Sequence, residues 1–417
     1  MDLSLVSKAQ RGGQREQSAK EPIRVLFLNT RSALGADVAV HLTLAKAYPV
    51  EECSTTFITN SRASDAATTI ERLQSFGKVK AAPMRLGYEL VNRRDRISRV
   101  AGMIGNLYEL AKALPELRRR IKQDRIEIIH STDRPRDALL STWLAKSSGR
   151  PNLIHVHIKW YPEIGRLTNW ALRKATGVIA ISDFVRNSLV DGGISASKIY
   201  RVHNATDPEE FDPARFEGCQ IRRRYGIGES APLIGIVARI MVWKGHRELV
   251  EALALIRKEF PNVKLLVVGL PDKVTSPDSY DQQVKARAKE LGVGQSIIWA
   301  GWINEIPEVM AGLDVLAVPS WEEPFGLVVT EAMAMEKPVV GFRSGALPEI
   351  IEDGKEGLLV EPKNVEQLSR GLCELLGDPD RRREMGRLGR EKVLNQFSPR
   401  HQAAAMAAIY RRICRQV

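Results

Sequence analysis

The residue types able to do chemistry in this chain are two glutamates, a glycine loop between them, a pair of cations and a pair of histidines. Glu323 and Glu331 flank Pro324-Phe325-Gly326-Leu327 inside the longer stretch DVLAVPSWEEPFGLVVTE, Asp314 to Glu331. A carboxylate accepts two hydroxyls at once, so each glutamate suits a diol such as that of a ribose or a hexose. Free backbone N–H groups near Phe325, Gly326 and Leu327 stand at a helix start and suit an anion such as a pyrophosphate. Taken singly, each glutamate reads equally as a solvated side chain or a helix-entry residue. Arg239 and Lys244 share one loop and read either as solvated cations or as a clamp on a diphosphate, whose departing charge fixed cations stabilise. His155 and His157 face one side of a strand. A metal pair needs at least a third ligand, and no nearby carboxylate is arranged to supply it.

These groups need elements to hold them. Val315 to Val318 is a short apolar run ended by Pro319-Ser320, a buried strand and turn, and helical spacing resumes at Leu327. Strand, glycine-containing loop, helix is the order that puts a loop at the carboxyl edge of a parallel sheet, where ligands bind. The same order appears at Ile23–Asn29, with its loop at Thr30–Asp37, and strands follow at Ser54–Thr59, Val79–Met84, Ile126–His130, Leu153–Ile158 and around Val178–Ile181. After a linker, Pro208 to Gly228, a second alternation begins. Its strands are Leu233–Ala238, Val263–Val268, Ser296–Ala300, Val315–Val318 and Pro338–Phe342. Strands separated by helices give parallel sheets, and two such blocks predict two Rossmann-like domains across a cleft.

The run Glu323-Pro324-Phe325-Gly326-Leu327 to Glu331 resembles the E-x7-E signature of the group-1 (family 4) glycosyltransferases. Gly345-Ala346-Leu347-Pro348-Glu349-Ile350-Ile351, Asp353-Gly354 and Gly357-Leu358-Leu359-Val360 look like the same family's continuation. The resemblance covers nearly the whole chain and implies the GT-B arrangement, an α/β fold of two Rossmann-like parallel-sheet domains. The implied division is a disordered polar tail at 1–21 and an N-terminal acceptor domain at 22–203, joined by a C-terminal crossing helix at 399–416. A donor domain follows at 204–398. It also implies roles. Arg239 and Lys244 bind the pyrophosphate of a nucleotide-sugar donor, Glu331 accepts the ribose hydroxyls, and Glu323 holds hydroxyls of the transferred sugar. Phe325, Gly326 and Leu327 offer amides, Gly301-Trp302-Ile303 lies near the base, and His157 donates to a sugar hydroxyl. Gly35 stands where the family usually has two adjacent glycines, here followed by Ala36.

The implied activity is a retaining, metal-independent hexosyl transfer from a nucleotide-diphosphate sugar to a glycan or lipid-linked acceptor, in cell-envelope polysaccharide or glycolipid synthesis, with no cofactor. Asp378-Pro379-Asp380 has the Asp-x-Asp form of metal-dependent glycosyltransferases, but its flanks make it a turn and helix cap. Two other readings stand beside the transferase: a nucleotide-sugar epimerase on the same fold, and a non-catalytic sugar-nucleotide or anionic-polymer binding protein. Residues 1–200 carry 32 Lys+Arg against 19 Asp+Glu, and residues 201–417 carry 30 against 31, so the net charge of +12 is concentrated in the first half. That half reads as a basic surface or as a contact for an anionic membrane, glycan or nucleic acid, nucleic acid being the least favoured. Apolar residues from Ile97 to Leu117 recur at helical spacing among arginines, suiting a sheet or a lipid surface. Four scattered cysteines fit a reducing cytoplasm. No apolar h-region precedes Ile23 and no run reaches a membrane span, so a cytoplasmic protein, peripheral at the inner face of the membrane, is expected.

Overall fold

The computed structural model describes residues 21–30, 36–49, 51–61, 79–86, 96–161, 164–272 and 280–416. Gly35, the polar tail and the arginines at 93 and 94 lie outside them. The first domain contains β1 (Ile23–Leu28), α1 (Ala36–Ala47), β2 (Cys53–Asn60), β3 (Val79–Met84), α2 (Arg96–Gln123), β4 (Ile128–Thr132), α3 (Pro135–Ser148), β5 (Asn152–Val156), α4 (Arg166–Lys174), β6 (Gly177–Ala180), α5 (Asp183–Asp191) and β7 (Ile199–Arg201). The second contains α6 (Cys219–Arg224), β8 (Leu233–Val237), α7 (His246–Ile256), β9 (Lys264–Val268), α8 (Tyr280–Glu290), β10 (Ile297–Gly301), α9 (Ile306–Gly312), β11 (Val315–Val318), α10 (Leu327–Ala334), β12 (Val339–Phe342), α11 (Leu347–Ile350), β13 (Gly357–Val360), α12 (Val365–Gly377) and α13 (Pro379–Gln396). The last helix, α14 (Pro399–Cys414), returns to the first domain.

Both sheets are parallel throughout, with orders β3-β2-β1-β4-β5-β6-β7 and β10-β9-β8-β11-β12-β13. Each order reverses once, between β1 and β4 and between β8 and β11. Those two points open crevices at the carboxyl ends of the strands, where side chains from two adjacent loops converge. The strands are apolar and buried because helices cover both faces, as parallel sheets require. On one face of the first sheet, Val25 and Phe27 of β1 pack with Ala403, Met406, Tyr410 and Ile413 of α14. On the other, Leu26 and Leu28 pack with Ala113, Leu117 and Ile121 of α2. Of the α2 residues expected either on the sheet or on lipid, Leu117 is fully buried and Leu110 and Leu114 pack against that core.

Three expectations are corrected. The strand expected over Leu153–Ile158 ends at Val156, because its ladder to β6 runs out at Val156 opposite Ala180. The stretch expected as a linker, 208–228, holds α6, docked by buried Ile221 and by Arg222, which pairs with Asp314 at 2.8 Å. An additional strand, β13, pairs with β12 through Gly357–Val360. Asp378 caps α13 as expected, its side chain accepting from Arg381 N at 2.9 Å.

Candidate active site

The crevice of the second sheet is built by the loops after β8 and β11. The β8 loop carries Arg239 and Lys244 and turns into α7 at Gly245, whose φ of 72° suits glycine. A Cβ at Gly245 would lie 1.9 Å from Pro319 O, so at this point the two loops meet backbone to backbone. Trp321 N donates to Trp243 O at 2.8 Å and locks them together. The β11 loop carries Trp321 to Gly326. Gly326, at φ 98°, caps α10 with no side-chain hydrogen bond, so the first-turn N–H groups of α10 have no side-chain cap. Ala346 N donates to Glu323 O at 2.8 Å, and Ser344 Oγ to Ser320 O at 2.6 Å, so the loop after β12 buttresses the β11 loop from behind.

Lys244 Nζ lies 2.6 Å from Glu323 Oε2, both side chains largely shielded from water. The cation expected at the phosphate and the carboxylate expected at the sugar are therefore partners. Both line one small hollow with Ala238, Ser320 and Val328. Arg239 is exposed and donates to buried Asp272 at 3.0 Å, an anchor that sequence spacing does not reveal. Glu331, on the first turns of α10, is partly buried, and its carboxyl has no hydrogen bond or ion pair among the described residues. Burial, and then the charge of Glu210, push that carboxyl up to about 7. Phe325 turns its ring into the core against Phe397 and His203, leaving only backbone for a ligand. Gly301 holds φ 69° and its carbonyl accepts from Gly269 N at 2.7 Å. Trp302 is 66% exposed while Ile303 is buried.

The first domain presents its own strand ends to this loop. Ser182 Oγ, the cap of α5, donates to Pro324 O at 2.6 Å, and Lys159 Nζ reaches Glu322 at 2.5 Å. Glu349 crosses the other way and accepts from Asp183 N at 2.7 Å and Phe184 N at 2.9 Å at the start of α5. Burial raises the Glu349 carboxyl, but His203 and those two amides outweigh it and hold the group below its ordinary value. His157, the first residue past β5 and two before Lys159, stacks on His155 with ring centroids 4.3 Å apart and lies 5.6 Å from the His41 ring. At the first sheet's own crevice, buried Asp137 accepts from Thr30 N at 2.9 Å and Thr132 Oγ1 at 2.7 Å, joining the loops after β1 and β4. The part of the β1 loop that holds Gly35 lies outside the described residues.

Among the described residues no carboxylate forms a ligand group with His155 and His157, but other imidazoles join His155. His41 from α1 and His130 from β4 meet His155, a gathering that spacing cannot show because it arises from three separate elements. All three are buried, and burial first, then neighbouring imidazoles, holds them below the ordinary histidine value, His130 at about 3.

Two parallel-sheet Rossmann-like domains facing each other define the class of GT-B proteins. The family model for glycosyl transferases group 1 matches residues 219–392, and that for glycosyltransferase family 4 matches residues 42–210. The chain is 30% identical over 338 residues to a 2-deoxystreptamine glucosyltransferase of Streptomyces kanamyceticus, covering 76% of this chain and 85% of that one. It is 29% identical over 241 residues to a GDP-mannose-dependent alpha-(1-6)-phosphatidylinositol monomannoside mannosyltransferase of Mycolicibacterium smegmatis, covering 56% of this chain and 61% of the other. The solved Anabaena protein Alr3699/HepE, in complex with UDP, superposes with a TM-score of 0.75 at 20% identity over 94% of this chain and 100% of its own. The chain belongs to the group-1 glycosyltransferases and is an enzyme of that kind.

Proposed function

We propose that this glycosyltransferase takes its sugar from a nucleotide-diphosphate sugar held in the second-domain cradle and passes it, with retention of anomeric configuration and without a metal ion, to a glycan or lipid-linked acceptor at the first domain. The observation that carries this reading is the Lys244–Glu323 pair beside the uncapped α10. It combines a cation for phosphate, amides for phosphate and a carboxylate for hydroxyls within one hollow. In this reading Arg239 and Lys244 stabilise the departing diphosphate, as fixed positive charge does for a developing anion. Glu331 accepts the ribose diol. Glu323 and His157 orient the transferred sugar. The leaving phosphate oxygen itself takes the acceptor's proton in a front-face transfer, in place of the paired carboxylates of a double displacement.

A place at the membrane's inner face is supported by α4. Its exposed Leu167 and Trp170 lie one turn apart, flanked by Arg166, Arg173 and Lys174, while Ala171 and Leu172 face the core. An apolar ridge ringed by cations suits an anionic lipid surface. Among the described residues no helix is long and apolar enough to cross a membrane.

The test is a thermal-shift panel with UDP, GDP, ADP and their sugars, each with and without EDTA, followed by NMR assignment of the product's anomeric configuration. A ligand that binds only the folded chain raises the melting temperature with its concentration and affinity. One nucleoside diphosphate is expected to give an increment that EDTA leaves intact. Free epimerised product without acceptor overturns the proposed transfer to an acceptor, and no shift with any nucleotide overturns the nucleotide-diphosphate donor.

A further inference from the structure

Apart from the donor cradle, imidazoles gather on the α1-covered face of the first sheet. The chain has seven histidines, and His41, His130 and His155 are three of them, each essentially without solvent access. Their ring centroids lie 4.7, 5.2 and 5.3 Å apart, and Phe27 stacks on His130 at 4.8 Å. Each offers one ring nitrogen, and those nitrogens all lie within 4.8 Å of one another. His41 Nε2 and His155 Nδ1 are 3.2 Å apart. A tetrahedral zinc with Zn–N bonds of about 2.0–2.1 Å sets its ligand nitrogens about 3.3 Å apart. One edge is thus already the right length, and the widest needs to close by about 1.5 Å at most, within reach of small ring rotations.

Two further features distinguish this cluster from aromatic filler. His130 Nε2 is buried with no hydrogen-bond partner among the described residues. A buried polar atom left unsatisfied costs about 1–3 kcal/mol, and a core needing only bulk would place leucine or phenylalanine there. His130 Nδ1 lies 2.6 Å from the Tyr410 hydroxyl on α14. With a metal on Nε2, Nδ1–H donates to the Tyr410 oxygen, the outer contact that typically fixes a ligating imidazole.

We propose that His41, His130 and His155 form a binding site for a borderline divalent metal ion, zinc above all, inside the first domain. Imidazoles without carboxylates disfavour magnesium and calcium and suit zinc, copper or nickel. The ion ties α1, β4 and β5 together and, through Tyr410, fastens α14 to them. A fourth coordination position is left for a small exogenous ligand. The site adjoins His157, which stacks on His155 with ring centroids 4.3 Å apart, but its readouts are metal content, melting and cobalt spectra rather than transfer, so it stands or falls apart from the transferase reading.

The test uses the full chain, stripped with a chelator, equilibrated with zinc chloride and desalted. Metal content is read by elemental analysis, stability by thermal melting, and geometry by the visible d–d bands of the cobalt-loaded chain. One zinc per chain, a higher melting temperature and a tetrahedral cobalt spectrum are expected. His155→Phe is expected to retain no zinc. Should that variant fail to fold, Tyr410→Phe preserves the ring packing and is expected to weaken zinc binding about 10–100-fold. A wild-type chain that retains no zinc and melts unchanged overturns the proposal, as does undiminished binding in His155→Phe or Tyr410→Phe.

Discussion

Lys244 and Glu323 hold each other across 2.6 Å in a largely dry hollow, so on the proposed reading a diphosphate sugar must redistribute charges already satisfied. Removing one partner strands the other. Lys244→Ala is expected to cost about 3 kcal/mol of stability, the scale for a buried pair broken on one side. It should also lower kcat/KM on the donor by about 100-fold or more, the scale of one lost stabilising donor. The double variant Lys244→Met/Glu323→Leu should regain most of the melting temperature while staying inactive, and recovered activity would contradict both assignments. Glu331 gives a pH signature. Its carboxyl is held above the ordinary value of 4.5, so the folded chain binds that proton more tightly than the unfolded one. Stability from this group is therefore full below about 4.5 and is lost as pH rises toward 7. The ionised carboxylate is the better acceptor for a diol, so 1/KM for the donor should rise through about pH 7 in the wild type. Glu331→Gln should flatten that rise. Glu323 and Glu331 stood out as candidates because they share one short stretch. Asp272, Asp137, Glu349 and His41 were not, because each meets its partner only once separate strands are side by side.

At the scale of elements, the β8 and β11 loops depend on a close backbone approach at Gly245 and Pro319. Gly245→Ala adds a methyl where Pro319 O already stands and forces a left-handed φ on alanine. It is expected to destabilise by about 2 kcal/mol or more and to impair donor binding, measurable by denaturant melts and by nucleotide titration. The α13 cap offers a control remote from the cradle. Asp378→Ala should cost about 1 kcal/mol and leave KM unchanged. Strands β1, β2, β3, β8, β9 and β11 were legible as apolar runs with turn residues at their ends. Val315–Val318 and Val79–Met84 match the structure residue for residue. Strand β13 was hidden, since GLLV is too short to show a period and pairs only at the sheet edge. The end of β5 was misjudged because His157 and Ile158 continue its alternation after the neighbouring strand has run out.

At the scale of the whole molecule, the two domains are latched by Glu349 on the α5 amides, Ser182 on Pro324 and Lys159 on Glu322. A cleft held by a few polar contacts is expected to open when one is cut. Glu349→Ala should raise the radius of gyration of the free chain in small-angle scattering, and saturating nucleotide should bring it back. An unchanged radius would mean the apolar cluster spanning both domains holds them by itself. The return of α14 to the first sheet was legible only through family resemblance, since its own sequence says nothing of which sheet it covers.

That return has a consequence for how the chain comes into being. The helix that seals the sheet begun at Ile23 follows the whole second domain in chain order, and its sixteen residues carry Met406, Ala407, Tyr410 and Ile413 into the core that β1 opens. Until that helix has left the ribosome, the first domain stands with one flank bare, and a message cut short before Pro399 yields a product that cannot close it. Completion of the first half is thereby made conditional on synthesis of the second, so the two halves mature together rather than in order.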